Sequence, residues 1–383
     1  MAVLGSSGTT PPLLPDVLLT VSTTWSPPYK VKALVRVFGG GGSGAISQTD
    51  DKCWMATGGG AAEHAGSIFE LDPDVAYTIV VGAGGVQRSA TGTVGVAGAA
   101  GSLSSFAGSG ITTITANGGG AGTILQATAT DTAYTLAGAV GGSGGAGGLY
   151  RHTGGAGGAI TKPSVANDNV SNNSLCTGGG AVGLFGTGFA GGLISYYNNA
   201  TGQQIGTGGG GVNGVGGPVN ANGSNLNNTH GGGTFGPAGN TDAPNSTPGF
   251  GHSADSYGVK QSDKEWEATF DFWSSGRLLD RINHTMEAVY LSPAPPGSGG
   301  RGSDGLGVYM IGTGASLFGG GGAQCTSQTM VDPATNNNHW FMAGGRLGGG
   351  GGAGGMTTAG SKRTNSGYGG RGGVLIEMLE RIV

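Results

Sequence analysis

YKVKALVRVFGGGGSG, residues 29–44, joins two kinds of sequence without a break. Tyr29, Val31, Ala33, Val35 and Val37 alternate with Lys30, Lys32, Leu34, Arg36 and Phe38. A period of two, rich in β-branched residues, predicts a strand with one buried face. Four glycines, 39–42, follow it directly. The same junction recurs. Residues 67–71 and 76–81 flank Asp72-Pro73-Asp74 as the arms of a hairpin would, and the second arm runs into Gly82-Ala83-Gly84-Gly85. At the other end, Gly369-Gly370-Arg371-Gly372-Gly373 feeds a final strand, 374–383. The first and last strands are expected to pair in one sheet, so that the interior is one inserted body rather than a string of domains.

That interior is punctuated by glycine islands at 118–120, 141–148, 154–158, 178–180, 208–217, 231–233, 299–302, 319–322 and 344–355. Glycine supplies 89 of 383 residues, about three times its usual share, and it disfavours helix interiors by roughly 1 kcal/mol per position. The islands have no fixed repeat length, which excludes a standard solenoid, and no strict three-residue glycine period, which excludes collagen. Composition alone would suggest disorder. Formal net charge is only −4, however, and the chain carries 5 Trp, 10 Tyr and 11 Phe, whereas disordered chains are charged and poor in apolar groups. A packed alternative is polyproline-II geometry, which repeats every three residues and forms no hydrogen bonds within its own chain. Buried amides must then pair with neighbouring backbones, and glycine allows those backbones to approach. The expected fold is all-β, a small β sandwich or sheet closed by the N- and C-terminal strands around a glycine-rich polyproline-II array. Gly211 and Gly350 are taken as central glycines at which a Cβ would enter the space between backbones.

Four stretches follow from composition. Residues 1–28 form a Pro/Ser/Thr-rich extended attachment segment, 29–240 the first part of the glycine-rich body, and 297–383 its second part with the closing strand. Residues 241–296 differ: 259–296 contain only Gly276 as glycine. Leu278, Ile282, Met286 and Val289 fall on one helical face, which predicts a helix over 277–290. Residues 263–273 fit either a capped helix or an alternating strand. The insertion reads as a plug against the body or a small docking module.

Several function classes lose support. The weakly acidic balance lacks the basic footprint of nucleic-acid binding. No run is long and apolar enough for a membrane-spanning helix, and the start lacks the features of a signal peptide. Cys53, Cys176 and Cys325 are too dispersed for a zinc motif or a disulfide scaffold. The six histidines form no local metal motif, and no glycine run continues into a phosphate-loop Lys-Ser/Thr. No cofactor, metal site or catalytic residue is expected.

The junctions VKALVRVFGGGGSG (31–44), YTIVVGAGG (77–85) and YGGRGGVLIEM (368–378) resemble the glycine-rich domain of bacteriophage tail-fibre and tail-fibre-tip adhesin proteins. The order of these motifs matches over nearly all of 29–383, although they cover only about 35 residues. The resemblance implies a non-enzymatic virion protein at a tail or fibre tip that recognises the host surface. Its partners would be other virion or tail-fibre proteins and a host surface glycan or outer-membrane protein, with no nucleic acid and no membrane insertion. Assembly would be a homotrimer or a monomer capping a trimeric fibre. The islands at 141–148, 154–158, 208–217 and 344–355 would form the lattice, and 149–153, 193–205 and 334–343 would be tip loops. The aromatic insertion at 241–296 and the lack of a triple-stranded fibre repeat depart from that pattern. They leave a purely structural baseplate, spike or capsid-attached component as the alternative. Within the loops, aromatic rings beside amides suit sugar or protein recognition. The candidate receptor-binding residues are Tyr196, Tyr197, Asn198, Asn199, Asn336, Asn337, Asn338, His339, Trp340 and Phe341.

Overall fold

In the strand Val31–Phe38, Val31, Ala33, Val35 and Val37 are fully buried, while Lys32 is exposed and Leu34 and Arg36 are half-buried. The alternation read from the sequence is thus the division between two faces of a sheet. The computed structural model describes residues 16–48, 53–91, 94–127, 132–162, 173–196, 204–211, 215–216, 219–221, 318–326, 347–356 and 363–382. Among them the regular structure is all β, with no helix. The insertion at 241–296, with its expected helix and its undecided stretch, lies outside the described residues.

Five strands form one sheet in the order Val17–Leu19, Gly373–Arg381, Val31–Phe38, His64–Leu71, Tyr150–His152, every neighbour antiparallel. The last strand of the chain therefore lies beside the long strand that opens the body, with Val374 opposite Val37 and Ile376 opposite Val35. A second antiparallel sheet runs Ile114–Ala116, Ser104–Ala107, Tyr77–Val80, Thr23–Trp25. The two sheets share one apolar core, in which Val35, Val37, Ala65 and Ile376 meet Tyr77, Ile79, Phe106 and Ile114. Tyr77 and Phe106 stack with ring centroids 5.3 Å apart. Residues 16–28, read as an attachment segment, supply an edge strand to each sheet.

Glycine-rich segments leave this sandwich and return to it. Those at 39–45, 57–63, 97–103, 117–123, 153–159 and 366–372 are each seven residues long. Their amides are bonded laterally in a rotating pattern. From 39–45, the amides of Gly39, Gly42 and Ala45 donate to Glu63, Gly60 and Thr57; those of Gly40 and Ser43 to Ser102 and Ala99; those of Gly41 and Gly44 to Gly370 and Gly367. Three successive residues thus address three different neighbours, and the cycle then repeats. Packing is close enough that a Cβ on Gly42 would overlap the carbonyl of Gly120, and one on Gly350 the carbonyl of Gly59.

Short strands receive the far ends of these segments in four layers. The first layer is Tyr134–Leu136, Ile160–Lys162, Ile194–Tyr196, Val219–Ala221; the second is Ile124–Ala127, Cys53–Ala56, Asn173–Cys176, Gln204–Gly206. The third is Gln324–Thr326, Gly354–Met356, Ile46–Gln48, Val94–Val96; the fourth is the pair Arg363–Asn365 and Ser89–Thr91. Met55, Leu175 and Ile205 of the second layer pack against Ile160 and Ile194 of the first. On its other side, Ala56 and Cys176 pack with Ala323 and Ala353 beside the third. The long sheet of the sandwich cuts across this arrangement. Its strands Gly373–Arg381, Val31–Phe38, His64–Leu71 and Tyr150–His152 continue segments from the fourth, third, second and first layers respectively.

Candidate functional site

The chain passes between layers at both ends of the body: near Leu184 at the sandwich end, and repeatedly at the far end. The described strands on either side of 49–52, 92–93, 128–131, 163–172, 197–203 and 357–362 belong to neighbouring layers. The described anchors of these six stretches therefore lie at one end of the body, and specific contacts hold them. Ser47 Oγ lies 2.9 Å from Ser174 Oγ, tying the third layer to the second. Lys162, the fully buried last residue of Ile160–Lys162, donates from Nζ to the carbonyl of Thr132 at 3.0 Å. Its ammonium sits 5.5 Å from the centre of the Tyr134 ring. A buried ammonium is tolerated because a carbonyl and a ring face compensate its lost hydration.

Of the candidate receptor-binding residues, Tyr196 ends the strand Ile194–Tyr196, its backbone opposite Ala221. Tyr197, Asn198, Asn199, Asn336, Asn337, Asn338, His339, Trp340 and Phe341 lie outside the described residues. Their flanks differ. The stretch holding Tyr197 to Asn199 departs from the first layer and enters the second at Gln204, so both its anchors are at the far end. The stretch holding Asn336 to Phe341 departs at Thr326 in the third layer, whereas Leu347, which follows it, packs against Phe38 and Leu375 of the sandwich. Gly350 lies buried within the lattice, and Gly211 is buried as well. Among the described residues no group of three His, Cys, Asp or Glu side chains is placed to hold a metal ion.

The segment at 149–153, expected as a tip loop, sits at the sandwich end, where Tyr150–His152 is an edge strand. It belongs to a polar cluster on the outer face of the long sheet. Arg36 Nε donates to Glu377 Oε2 at 2.6 Å and Arg36 Nη1 to the Tyr150 hydroxyl at 2.7 Å. That hydroxyl lies 3.3 Å from His64 Nε2, and His64 Nδ1 lies 3.1 Å from the carbonyl of Gly183. A carbonyl can only accept, so the proton is on Nδ1 and Nε2 accepts from Tyr150. The ring stacks on Phe38, 4.5 Å between centroids. Burial, with the Arg36 charge adding to it, pulls the His64 pKa down to about 3. Burial likewise lowers His152 and raises the Tyr150 phenol. Tyr150 reaches Arg36 by lying across the intervening strand at Gly66, where any Cβ would meet its ring and hydroxyl.

A second ion pair fixes the turn before that strand. Arg151 donates to Glu63 Oε1 from Nε and Nη2 at 2.9 and 2.7 Å, while Glu63 Oε2 accepts the amides of Asn117 and Gly145. Gly144, Gly147 and Gly148 make the turn with φ of +77°, +66° and +84°, a region that L side chains avoid. Reading the sequence as strands and islands missed both clusters. The usable signal was charge: Arg36 and Glu377 carry opposite charges near the glycine junctions of Val31–Phe38 and Gly373–Arg381. The described groups act as structural stitches, pinning edge strand, turn and lattice together. Neither a protein-family model nor a curated protein matches the chain.

Proposed function

We propose that this protein is a non-enzymatic receptor-binding component of a bacteriophage tail fibre or fibre tip. In this reading the glycine-rich segments are polyproline-II helices closed at the sandwich end by the first and last long strands. The far-end connections meet a glycan or outer-membrane protein of the host, and other virion proteins hold the opposite end. The observation that carries the reading is that the anchors of six stretches of chain lie together at one end of a laterally bonded body. Such a body needs little from its connections for its own stability, which leaves their side chains free to vary for recognition. The three-residue rotation of amide partners supports the helix type, because polyproline-II repeats every three residues.

Host adsorption and thermal unfolding measured together test this. Trp340→Ala is expected to weaken adsorption by roughly 1 kcal/mol or more if the ring is an interface anchor, with the melting temperature unchanged. A double alanine variant at Tyr196 and Tyr197 is expected to behave in the same way. Normal adsorption by both folded variants would remove these residues from the receptor site. Labelling of intact particles at a site other than a distal tip would turn the reading toward a purely structural virion component.

A further inference from the structure

Strand pairing brings together two histidines that the sequence keeps far apart. His64 and His152 stand opposite each other where His64–Leu71 meets the edge strand Tyr150–His152, and their ring centroids are 5.7 Å apart. The Tyr150 ring lies 5.3 Å from that of His64 and 5.2 Å from that of His152. Two imidazoles and a phenol thus surround one point on the outer face of the long sheet. His64 is fully buried, whereas Tyr150 and His152 are half-buried. The cluster is therefore closed on the His64 side and open to solvent on the side of the edge strand.

The His64 ring is fixed from behind. Its Nδ1 donates to the carbonyl of Gly183 at 3.1 Å, which turns the Nε2 lone pair toward Tyr150. A metal-bound imidazole is ordinarily oriented by a bond of this kind from its other nitrogen. Nε2 and the Tyr150 hydroxyl oxygen are 3.3 Å apart. Bonds of about 2.0–2.1 Å from one ion to both atoms close at roughly 105–110°, the tetrahedral angle. Two imidazoles on such an ion hold their ring centres about 5 Å apart, close to the separation of His64 and His152. The His152 ring makes no hydrogen bond among the described residues, so its nitrogens are uncommitted.

We propose that His64 Nε2, the His152 imidazole and the Tyr150 oxygen bind a divalent transition ion of the zinc or copper class, with water in the fourth position. On binding, the Tyr150 O–H bond breaks, an oxygen–metal bond forms and the proton leaves to solvent. A bound cation inverts the preference of a buried acid for its neutral form. Arg36, which already donates to that oxygen at 2.7 Å, stabilises the phenolate. The Arg36 charge does not repel the ion unopposed, because Glu377 neutralises it at 2.6 Å. Imidazole donors suit zinc and copper, whereas magnesium and calcium take carboxylates, carbonyls and water. The ion would fasten the edge strand to its neighbour, whatever the far end of the molecule binds.

Calorimetric titration and thermal unfolding of the chelator-treated full chain with Zn²⁺ test the proposal. The melting temperature is expected to rise with Zn²⁺, since an ion bound by the folded chain alone stabilises it by mass action. His152→Ala is expected to weaken Zn²⁺ binding at least tenfold and to lose that rise. With Cu²⁺, the wild type is expected to show a visible phenolate-to-copper charge-transfer band. Tyr150→Phe keeps the ring and is expected to remove the band. Zn²⁺ binding by His152→Ala equal to wild type would place the ion on other histidines and overturn the proposal. So would a melting temperature unmoved by about 1 mM Zn²⁺, or a copper band that is absent from the wild type or survives in Tyr150→Phe. Where metal-free His152→Ala fails to fold, the copper band decides.

Discussion

The sandwich and the glycine body solve opposite problems with the same backbone. In the sandwich, side chains separate the sheets and supply the adhesion: Val35, Ile79, Phe106 and Ile376 fill the space between two hydrogen-bonded ladders. In the body the space is gone, and backbone meets backbone in three directions at once, as residues 39–45 do. One region is stabilised mainly by removing apolar area from water. The other depends on satisfying every buried amide, because an unpaired one costs about 1–3 kcal/mol. The sandwich can therefore absorb a change of side chain by repacking. The body cannot absorb the appearance of one.

Replacing Gly350 with valine probes that difference most severely. The new Cβ would stand against the carbonyl of Gly59 and the backbone of Gly60, with no flexible side chain to give way. We expect loss of the folded state or destabilisation beyond about 5 kcal/mol, which only a few mechanisms reach, read by thermal or urea unfolding. A Gly350→Val protein melting like the wild type would show the two regions to be equally forgiving. In the sandwich, Phe106→Ala removes a ring stacked on Tyr77 and near Phe69. About 3–5 kcal/mol is expected for that truncation, with the chain still folded. A smaller loss there would widen the contrast with Gly350.

The polar cluster at the junction of the two regions sharpens the comparison through pH. The folded state holds His64 neutral down to about 3, against an ordinary value of 6.5. Between these values the unfolded chain binds a proton that the folded chain refuses. Stability is thus fully present above 6.5 and falls as pH drops, by about 1.4 kcal/mol per pH unit. His152, shifted in the same direction, adds to the loss. Urea unfolding across this window is expected to show a shallower decline for His64→Gln than for wild type. Equal slopes would mean that the ring is not held neutral by the fold.

Much of the sandwich was legible because its determinants are local in sequence. Alternating Val31 to Val37 and the Asp72-Pro73-Asp74 turn each specify their element through neighbours a few residues away. The lattice was legible in kind, since only glycine suits backbones in contact, but its partners were not. Gly42 meets Gly60, Gly120 and Gly351, and nothing in a run of identical residues says which run lies beside which. Register there is set from the ends, where Phe38 and Ile46 fix how far 39–45 must reach. The stitches were hidden for another reason. Arg36 and Glu377 are 341 residues apart, and only the pairing of Val31–Phe38 with Gly373–Arg381 makes them neighbours. The placement of 149–153 at the sandwich end has the same origin: aromatic character suggested a tip, whereas Gly66 and Arg36 supply a seat for Tyr150.

The crosswise relation between the four layers and the long sheet governs how the molecule can come apart. A stack whose layers each had their own sheet at both ends could delaminate, one layer opening as a separate foldon. Here Gly373–Arg381, Val31–Phe38 and His64–Leu71 fasten three layers to one another through ladders of up to eight residue pairs. Among the described residues, the first layer joins that sheet only through the three residues Tyr150–His152. Amide hydrogen exchange should follow this asymmetry: the other three layers exchange together, at the rate of global unfolding, while the first layer opens ahead of them as the one leaf free to turn.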